Sequence, residues 1–81
     1  MRLDKYLKVS RLIKRRTVAN DACDGEHISV NGKTAKASYQ VKIGDMISIT
    51  YGEKTVTVKV TDIKDSTKKA DAAEMFEVIE G

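Results

Sequence analysis

The residue types that carry out nucleophilic or metal chemistry are scarce in this chain. Its 81 residues include one cysteine, Cys23, and one histidine, His27, four positions apart. These side chains supply only two of the four ligands that a structural zinc site takes. A catalytic thiolate needs an electropositive, partly exposed position, whereas Cys23 falls on the apolar stripe of a predicted helix. We therefore predict a protein that is not an enzyme and has no metal or cofactor, with Cys23 in the core and His27 partly exposed.

The residue types that bind phosphate are concentrated at the N-terminus. The first sixteen residues hold seven Lys or Arg and one Asp, whereas the other 65 hold eight Lys or Arg and eleven Asp or Glu. Guanidinium groups bind phosphate bidentately and ammonium groups act as point charges. A solvated helix face usually mixes both signs, so this segregation favours nucleic-acid binding. The candidate RNA-binding residues in this segment are Arg2, Lys5, Lys8, Arg11, Lys14, Arg15 and Arg16.

A second candidate contact is a hairpin that follows the basic segment. Asn31-Gly32 is a strong signal for a type I′ turn, since both positions tolerate a positive φ. Such a turn is by itself a common structural device. Lys33 and Lys36 beside a basic segment make it a candidate RNA contact, and whether they touch RNA directly stays open.

The four aromatic residues are too few for extensive base stacking. Tyr6, Tyr51 and Phe76 fall on apolar faces and are predicted to pack in the core, while Tyr39 lies in a polar context and is left open. This scarcity favours recognition of the backbone and shape of folded RNA.

Two short helices are predicted to position the N-terminal cations. Leu3 and Leu7 lie one turn apart, which predicts a helix from Leu3 to about Arg11, and Leu12 and Ile13 then form an apolar pair. Thr17 is a candidate N-cap for a helix from Val18 to Asp24, with Gly25 expected in a left-handed conformation at its end. The predicted apolar stripe of this helix comprises Val18, Ala19, Ala22 and Cys23.

From Ile28 the hydrophobic period changes to two, which predicts strands. Residues 35–39 are expected to form a loop and residues 41–45 a strand end and turn. Alternating positions predict two strands joined by a turn at Gly52-Glu53, and Thr67 is a candidate cap for a short helix over residues 68–74 before a last strand at residues 76–79. The predicted strand faces are Ile47, Ile49 and Tyr51, and Val56, Val58 and Val60. This order predicts an α+β fold with two helices on a small, mostly antiparallel sheet.

Length and composition restrict the class of protein. Eighty-one residues, 41% hydrophobic and 33% charged, are typical of one folded domain, so we predict a single domain over residues 1–81. No stretch approaches the roughly 18 apolar residues of a membrane span, and the N-terminus lacks the apolar segment of a secretory signal. A lone cysteine fits a reducing compartment. We expect a cytoplasmic monomer with no membrane partner.

The motifs in the first fifty residues resemble the S4 RNA-binding domain. They are Arg2-Leu3-Asp4-Lys5, Arg15-Arg16-Thr17, Val30-Asn31-Gly32 and Gly44-Asp45, in the family's order and spacing. The resemblance implies the S4 (alpha-L) fold, with a core motif over about residues 1–50 and an extension over about residues 51–81. It also implies binding of structured RNA through the two-helix face and the adjoining hairpin.

Within that family the whole chain is similar to the small bacterial S4 proteins of ribosome-associated quality control. The likeness includes the segments KVSRLIKRRT, VNGKTAKAS and TKKADAAEMF. It implies binding to the separated large (50S) ribosomal subunit, where the protein would contact 23S rRNA and hold a stalled peptidyl-tRNA in the P site. It further implies cooperation with the tailing factor RqcH in C-terminal alanine tailing. Arg2 and Arg16 fall at matching positions of the RNA-binding surface.

Three alternatives remain. A factor like heat shock protein 15, which recycles the large subunit, is related but has a longer basic tail, whereas residues 70–81 here are acidic and apolar. A protein–protein adaptor would use that acidic C-terminal half. The targeting module of an RNA-modifying enzyme would need a catalytic domain, for which we expect no room in 81 residues.

Overall fold

Two short helices and a five-stranded sheet make up the described part of the chain, residues 1–64 and 74–80 of a computed structural model. The elements are α1 (Leu3–Val9), α2 (Arg16–Asp24), β1 (Ile28–Val30), β2 (Lys33–Thr34), β3 (Met46–Tyr51), β4 (Lys54–Val60) and β5 (Phe76–Glu80). The sheet order is β2-β1-β3-β4-β5, and every pair of neighbours is antiparallel. The predicted α+β fold is confirmed. The predicted C-terminal helix over residues 68–74 lies, apart from its last residue, outside the described residues.

The core lies between the two helices and one face of the sheet. Strand alternation places Ile47 and Ile49 of β3 opposite Val58 and Val56 of β4 on the helix-facing side. The opposite face carries hydroxyl side chains, and Ser48 Oγ lies 3.1 Å from Thr57 Oγ1. One covered face and one polar face are typical of antiparallel sheets. The fully buried core side chains include Leu3, Tyr6, Leu7, Ala19, Ile28, Ile47, Val58, Val60 and Met75. None of the described helices has the length and apolar character of a membrane span.

Tyr6 links α1 to the segment that leads into β5. Its side chain is fully buried, as predicted, and its hydroxyl donates a 2.8 Å hydrogen bond to the carbonyl oxygen of Met75. Burial raises the pKa of the Tyr6 hydroxyl, and nearby Asp62 adds to the shift. A buried hydroxyl with a partner costs far less free energy than one without.

Helix α1 ends two residues before the predicted position. Ser10 is the C-cap, and its hydroxyl donates to the carbonyl oxygen of Leu7. Arg11 then adopts a left-handed conformation, with φ of 62°, which turns the chain away from the helix. The Ile13 amide also donates to the Leu7 carbonyl, so the chain folds back and buries Ile13, as predicted for the apolar pair.

The predicted capping role of Thr17 is wrong, because α2 begins at Arg16. Arg15 is the N-cap in an extended conformation, and no side chain caps the helix among the described residues. Thr17 therefore lies inside the first turn. Arg16 is the first helical residue and forms an ion pair with Asp4 of α1.

The end of α2 also differs from the prediction. Gly25 has a negative φ of −81°, and the left-handed residue is Glu26, with φ of 64°. The amides of Glu26 and His27 donate to the carbonyls of Cys23 and Ala22, the pattern of a Schellman motif. A Cβ at Gly25 would lie 2.9 Å from the His27 ring, so the absence of a side chain there lets the ring occupy its position.

Two residues that were predicted on apolar faces are exposed. Val18 of α2 is 50% exposed and Tyr51 of β3 is 45% exposed, although Tyr51 lies on the predicted face of its strand. The predicted strand end at residues 41–45 is only a turn, with Gly44 at φ of 95°. The type I′ turn is confirmed, since Asn31 and Gly32 both have positive φ, and so is the turn between β3 and β4.

Candidate nucleic-acid interface

Asp4 joins Arg2 and Arg16, the two arginines that the family resemblance places on the RNA-binding surface. Its carboxylate oxygens lie 3.3 Å from Arg2 Nε and 3.4 Å from Arg16 Nε. The Asp4 side chain is 4% exposed, whereas those of Arg2 and Arg16 are 47% and 48% exposed. A guanidinium has five N–H donors, so each arginine keeps donors for a phosphate after binding Asp4. We call Arg2 and Arg16, held by Asp4, the arginine pair.

The Asp4 carboxylate is stabilised in its charged form. Burial alone would raise its pKa, but hydrogen bonds from the Lys5 amide and from the Arg16 and Asn20 side chains outweigh this and lower the pKa. The Lys5 amide lies 2.8 Å from Asp4 Oδ1. Asp4 therefore stays ionised at neutral pH and holds the arginine pair in fixed positions.

The loop after the hairpin runs beside the first turn of α1. The Leu3 amide donates to the Tyr39 carbonyl at 2.8 Å, and the Asp4 amide donates to the Ala37 carbonyl at 3.2 Å. Arg2 forms an isolated antiparallel bridge with Gln40. These bonds use amides that a helix leaves without internal partners. They place the segment that follows Lys36 directly against the backbone of the arginine pair's first member.

A second buried carboxylate, Asp45, fixes the hairpin turn. It accepts hydrogen bonds from Asn31 Nδ2 at 3.1 Å, the Tyr39 hydroxyl at 2.9 Å and the Lys42 amide at 2.9 Å. Asn31 in turn accepts from the Met46 amide. Burial opposes ionisation, but these bonds outweigh it and lower the pKa of Asp45. The hairpin turn is therefore tied to the rest of the domain.

Tyr39, which the sequence left open, belongs to this network. Its hydrogen bond to Asp45, together with burial, raises the pKa of its hydroxyl. The ring is half-buried and lines a groove of about 700 Å³ next to the hairpin. Lys33 and Lys36 line the same groove, so both predicted hairpin cations border one concave surface.

The remaining predicted cations divide between two places. Lys5 and Lys8 lie on α1, and exposed Arg11 lies in the turn after it. Exposed Lys14 and Arg15 line a different groove, which also contains Val18 and Tyr51. Val18 lies roughly 200° around α2 from Arg16, so these two side chains leave the helix on different sides. The structure brings Arg2 and Arg16 together at Asp4, beside the segment that follows the hairpin, whereas Lys14 and Arg15 line the second groove.

Sequence reasoning missed the carboxylates that position these cations. Asp4 was seen only as the single acid in a basic segment, and Asp45 only as part of a turn. The available signal was the isolation of Asp4, since an unpaired acid among seven cations has many partners within reach. Asn20 gave no signal of its own.

Cys23 and His27 form no chemical centre in the described part of the chain. Cys23 is buried, as predicted, and burial followed by the charges of Asp4 and Asp24 raises the pKa of its thiol to about 11. His27 is exposed just before β1. Among the described residues no cluster of three or more His, Cys, Asp or Glu side chains could hold a metal.

A family model covers the part of the chain that contains both helices and the hairpin. The model of the S4 domain matches residues 1–47. The chain belongs to the S4 domain family. The resemblance inferred from the N-terminal motifs is thereby confirmed, and the matched residues include the arginine pair, Asp4 and Asp45.

Relatives of this S4 protein extend the match to nearly its whole length. It is 56% identical over 79 residues to the RQC P-site tRNA stabilizing factor of Bacillus subtilis (strain 168), covering 98% of this chain and 92% of that one. It is 58% identical over 79 residues to the protein of that name from Streptococcus pneumoniae (strain ATCC BAA-255 / R6), covering 98% and 90%. The trimeric structure of Vibrio cholerae Heat Shock Protein 15 superimposes with a TM-score of 0.89 at 30% identity, covering 96% of this chain and 80% of that chain. The predicted similarity to S4 proteins of ribosome-associated quality control and to heat shock protein 15 is confirmed.

Proposed function

We propose that this S4 protein is a non-catalytic RNA-binding factor of ribosome-associated quality control. In this role it binds the large ribosomal subunit and stabilises a stalled peptidyl-tRNA in the P site, in the cytoplasm. The observation that carries the proposal is the identity of 56% and 58%, over 98% of the chain, with two proteins named RQC P-site tRNA stabilizing factor. The concentration of cations on the S4 motif is consistent with it.

The arrangement of charges supports a mechanism of bridging. The arginine pair is held by the buried Asp4, and the hairpin that carries Lys33 is held by the buried Asp45. Cations that are already ordered lose little conformational entropy when they bind phosphate. A rigid protein that contacts 23S rRNA and tRNA together favours the one tRNA position in which both contacts form. Such a factor needs no reaction of its own.

The proposed link to the tailing factor RqcH follows from the same mechanism. The amino group of an alanyl-tRNA that RqcH recruits attacks the ester of the peptidyl-tRNA held in the P site, so the nascent chain passes to the alanyl-tRNA and the deacylated P-site tRNA leaves. The S4 protein would thus support C-terminal alanine tailing by fixing the position of the peptidyl donor.

Sedimentation of a lysate through a sucrose gradient tests the proposal. Tagged wild-type protein is expected in the large-subunit peak together with tRNA, and an Arg2→Ala/Arg16→Ala variant at the top of the gradient. The matched control, Lys54→Ala/Lys59→Ala, removes two exposed positive charges from β4 and is expected to sediment like wild type. Wild type at the top at low salt would refute ribosome binding.

A second candidate is a recycling factor like heat shock protein 15, favoured by the TM-score of 0.89 to that structure. It predicts binding to large subunits whether or not tRNA is present. Puromycin treatment before sedimentation separates the two. Puromycin accepts the nascent peptide and leaves a deacylated tRNA, so loss of the protein from the subunit peak together with that tRNA supports the tRNA-stabilising function. The predicted monomeric state is checked separately by light scattering, since the Vibrio cholerae relative is trimeric.

A further inference from the structure

A second groove lies between α2 and the end of β3. It has a volume of about 610 Å³ and is lined by three segments that are distant in sequence: residues 12–15, α2, and residues 49–52 with His27. We call it the α2–β3 groove. Its apolar lining residues are Leu12, Ile13, Val18, Ala22, Ile49 and Tyr51.

The apolar side chains of this groove are unusually accessible. Val18 is 50% exposed and Tyr51 is 45% exposed, and Leu12 and Ala22 are partly buried beside them. The Tyr51 hydroxyl donates a 3.1 Å hydrogen bond to the carbonyl oxygen of Leu12. This bond fixes the aromatic ring as one wall. Exposed apolar side chains that lie together and have a polar border form a candidate interaction site.

The border of the groove is positively charged. Lys14 and Arg15 are exposed lining residues, and no Asp or Glu is among the described residues that line the groove. His27 adds an exposed imidazole. A partner that fills the groove must therefore present apolar groups to its floor and negative charge to its border.

We propose that the α2–β3 groove docks an acidic, amphipathic segment of a protein partner. Large apolar side chains of that segment insert between Val18 and Tyr51, and its carboxylates pair with Lys14 and Arg15. A nucleobase fits less well, because its polar edges would face the apolar floor without hydrogen-bond partners. The proposal goes beyond the proposed function and shares with it only the candidate RNA contacts Lys14 and Arg15, since Arg2 and Arg16 do not line the groove.

A synthetic peptide tests the proposal directly. The probe is an amphipathic helix of about 15 residues, long enough to form a helix, with a Leu/Phe stripe and Glu at the other positions. Added to the isotope-labelled protein, it is expected to shift the NMR amide signals of Val18, Ala22 and Tyr51. A peptide with the same stripe but Lys in place of Glu is expected to bind at least tenfold more weakly.

Substitutions separate the groove from general charge effects. Val18→Glu places a carboxylate at the groove and is expected to weaken binding of the acidic peptide by tenfold or more. The control, Thr17→Glu, adds the same charge to the preceding position of α2, which is also exposed but lies outside the groove lining. It is expected to keep most of the affinity. Both positions are exposed and both lie in the first turn of α2, where Glu is favoured, so both variants are expected to fold.

Other results would overturn the proposal. One is the absence of shifts at the groove amides with the acidic peptide, or equal binding of both peptides. Another is an RNA stem-loop that shifts Val18 and Tyr51 in place of the residues around Arg2, which would make the groove an RNA site. Shifts of the groove amides that depend on protein concentration alone would instead assign it to a second copy of the chain.

Discussion

At the scale of single residues, Asp4 decides where two candidate phosphate-binding side chains lie. It is the only acid in the first sixteen residues and is almost fully buried between Arg2 and Arg16. A count of charges alone would predict that Asp4 lowers the affinity for RNA, since it cancels one positive charge. The geometry indicates the reverse, because a buried carboxylate with several donors fixes the direction of both guanidiniums.

The first prediction separates these two views. Asp4→Asn makes the protein more positive by one charge, yet we expect its affinity for RNA to fall by about tenfold, because the arginines lose their anchor. We also expect a loss of stability of about 1–3 kcal/mol, the usual cost of disrupting a buried hydrogen-bonded group. The control is Asp21→Asn, which makes the same change of charge at an exposed position of α2. Filter binding of tRNA at fixed salt measures the affinities, and tighter binding by both variants would contradict the anchoring role.

The two buried carboxylates also predict how stability depends on pH. Their pKa values in the folded state are lowered from 3.8, because donated hydrogen bonds outweigh burial. The folded protein therefore binds these protons more weakly than the unfolded chain does. The stabilisation is present above the unfolded value of 3.8 and is lost as the pH falls below it through the folded values.

The second prediction is a fall in the urea midpoint of the wild type between about pH 6 and about pH 3. The Asp4→Asn and Asp45→Asn variants lack one of these titrating groups each. They are expected to begin less stable at the higher pH and to lose less stability on acidification. A variant whose acid-induced loss equals that of the wild type would show that its carboxylate does not contribute.

At the scale of elements, the end of α2 shows why local rules placed the helix but not its cap. A glycine just after a helix usually supplies the left-handed residue, which is why Gly25 was expected there. The structure assigns the left-handed position to Glu26, and a Cβ at Gly25 would lie 2.9 Å from His27 Cδ2 and 3.2 Å from the Asp21 carbonyl oxygen, so a larger residue there requires these groups to shift. Sequence could not distinguish these reasons, since the approach of His27 is set by where β1 begins.

This assignment gives the third prediction. Glu26→Gly removes a side chain from a left-handed position and is expected to raise the free energy of unfolding by up to about 1 kcal/mol. Gly25→Ala is expected to lower it, since the added methyl must displace the His27 ring or the Asp21 carbonyl. Urea denaturation of both variants measures the difference. Stabilisation by Gly25→Ala would contradict the assignment.

At the scale of the whole molecule, charge was predictable from the sequence, whereas grooves were not. The amphipathic N-terminal segment, the Asn-Gly turn and the alternating strands are local patterns. The structure confirms them as α1, the turn between β1 and β2, and the strands β3 and β4. Both grooves are assembled from segments far apart in the chain, so no local pattern contained them. The exposure of Val18 and Tyr51 could not be predicted from a local pattern either. Both residues line the second groove, and no described element covers them there.

The fourth prediction concerns how the affinity for RNA depends on salt concentration. If RNA is held by phosphate contacts, the logarithm of affinity falls linearly with the logarithm of salt concentration. Each contact that is removed reduces the slope by about one, so Arg2→Ala/Arg16→Ala is expected to reduce it by about two. Lys54→Ala/Lys59→Ala removes the same charge from β4 and is expected to leave the slope within experimental error of the wild type. Equal reductions in both double variants would mean that overall charge, and not the ordered arginine pair, determines binding.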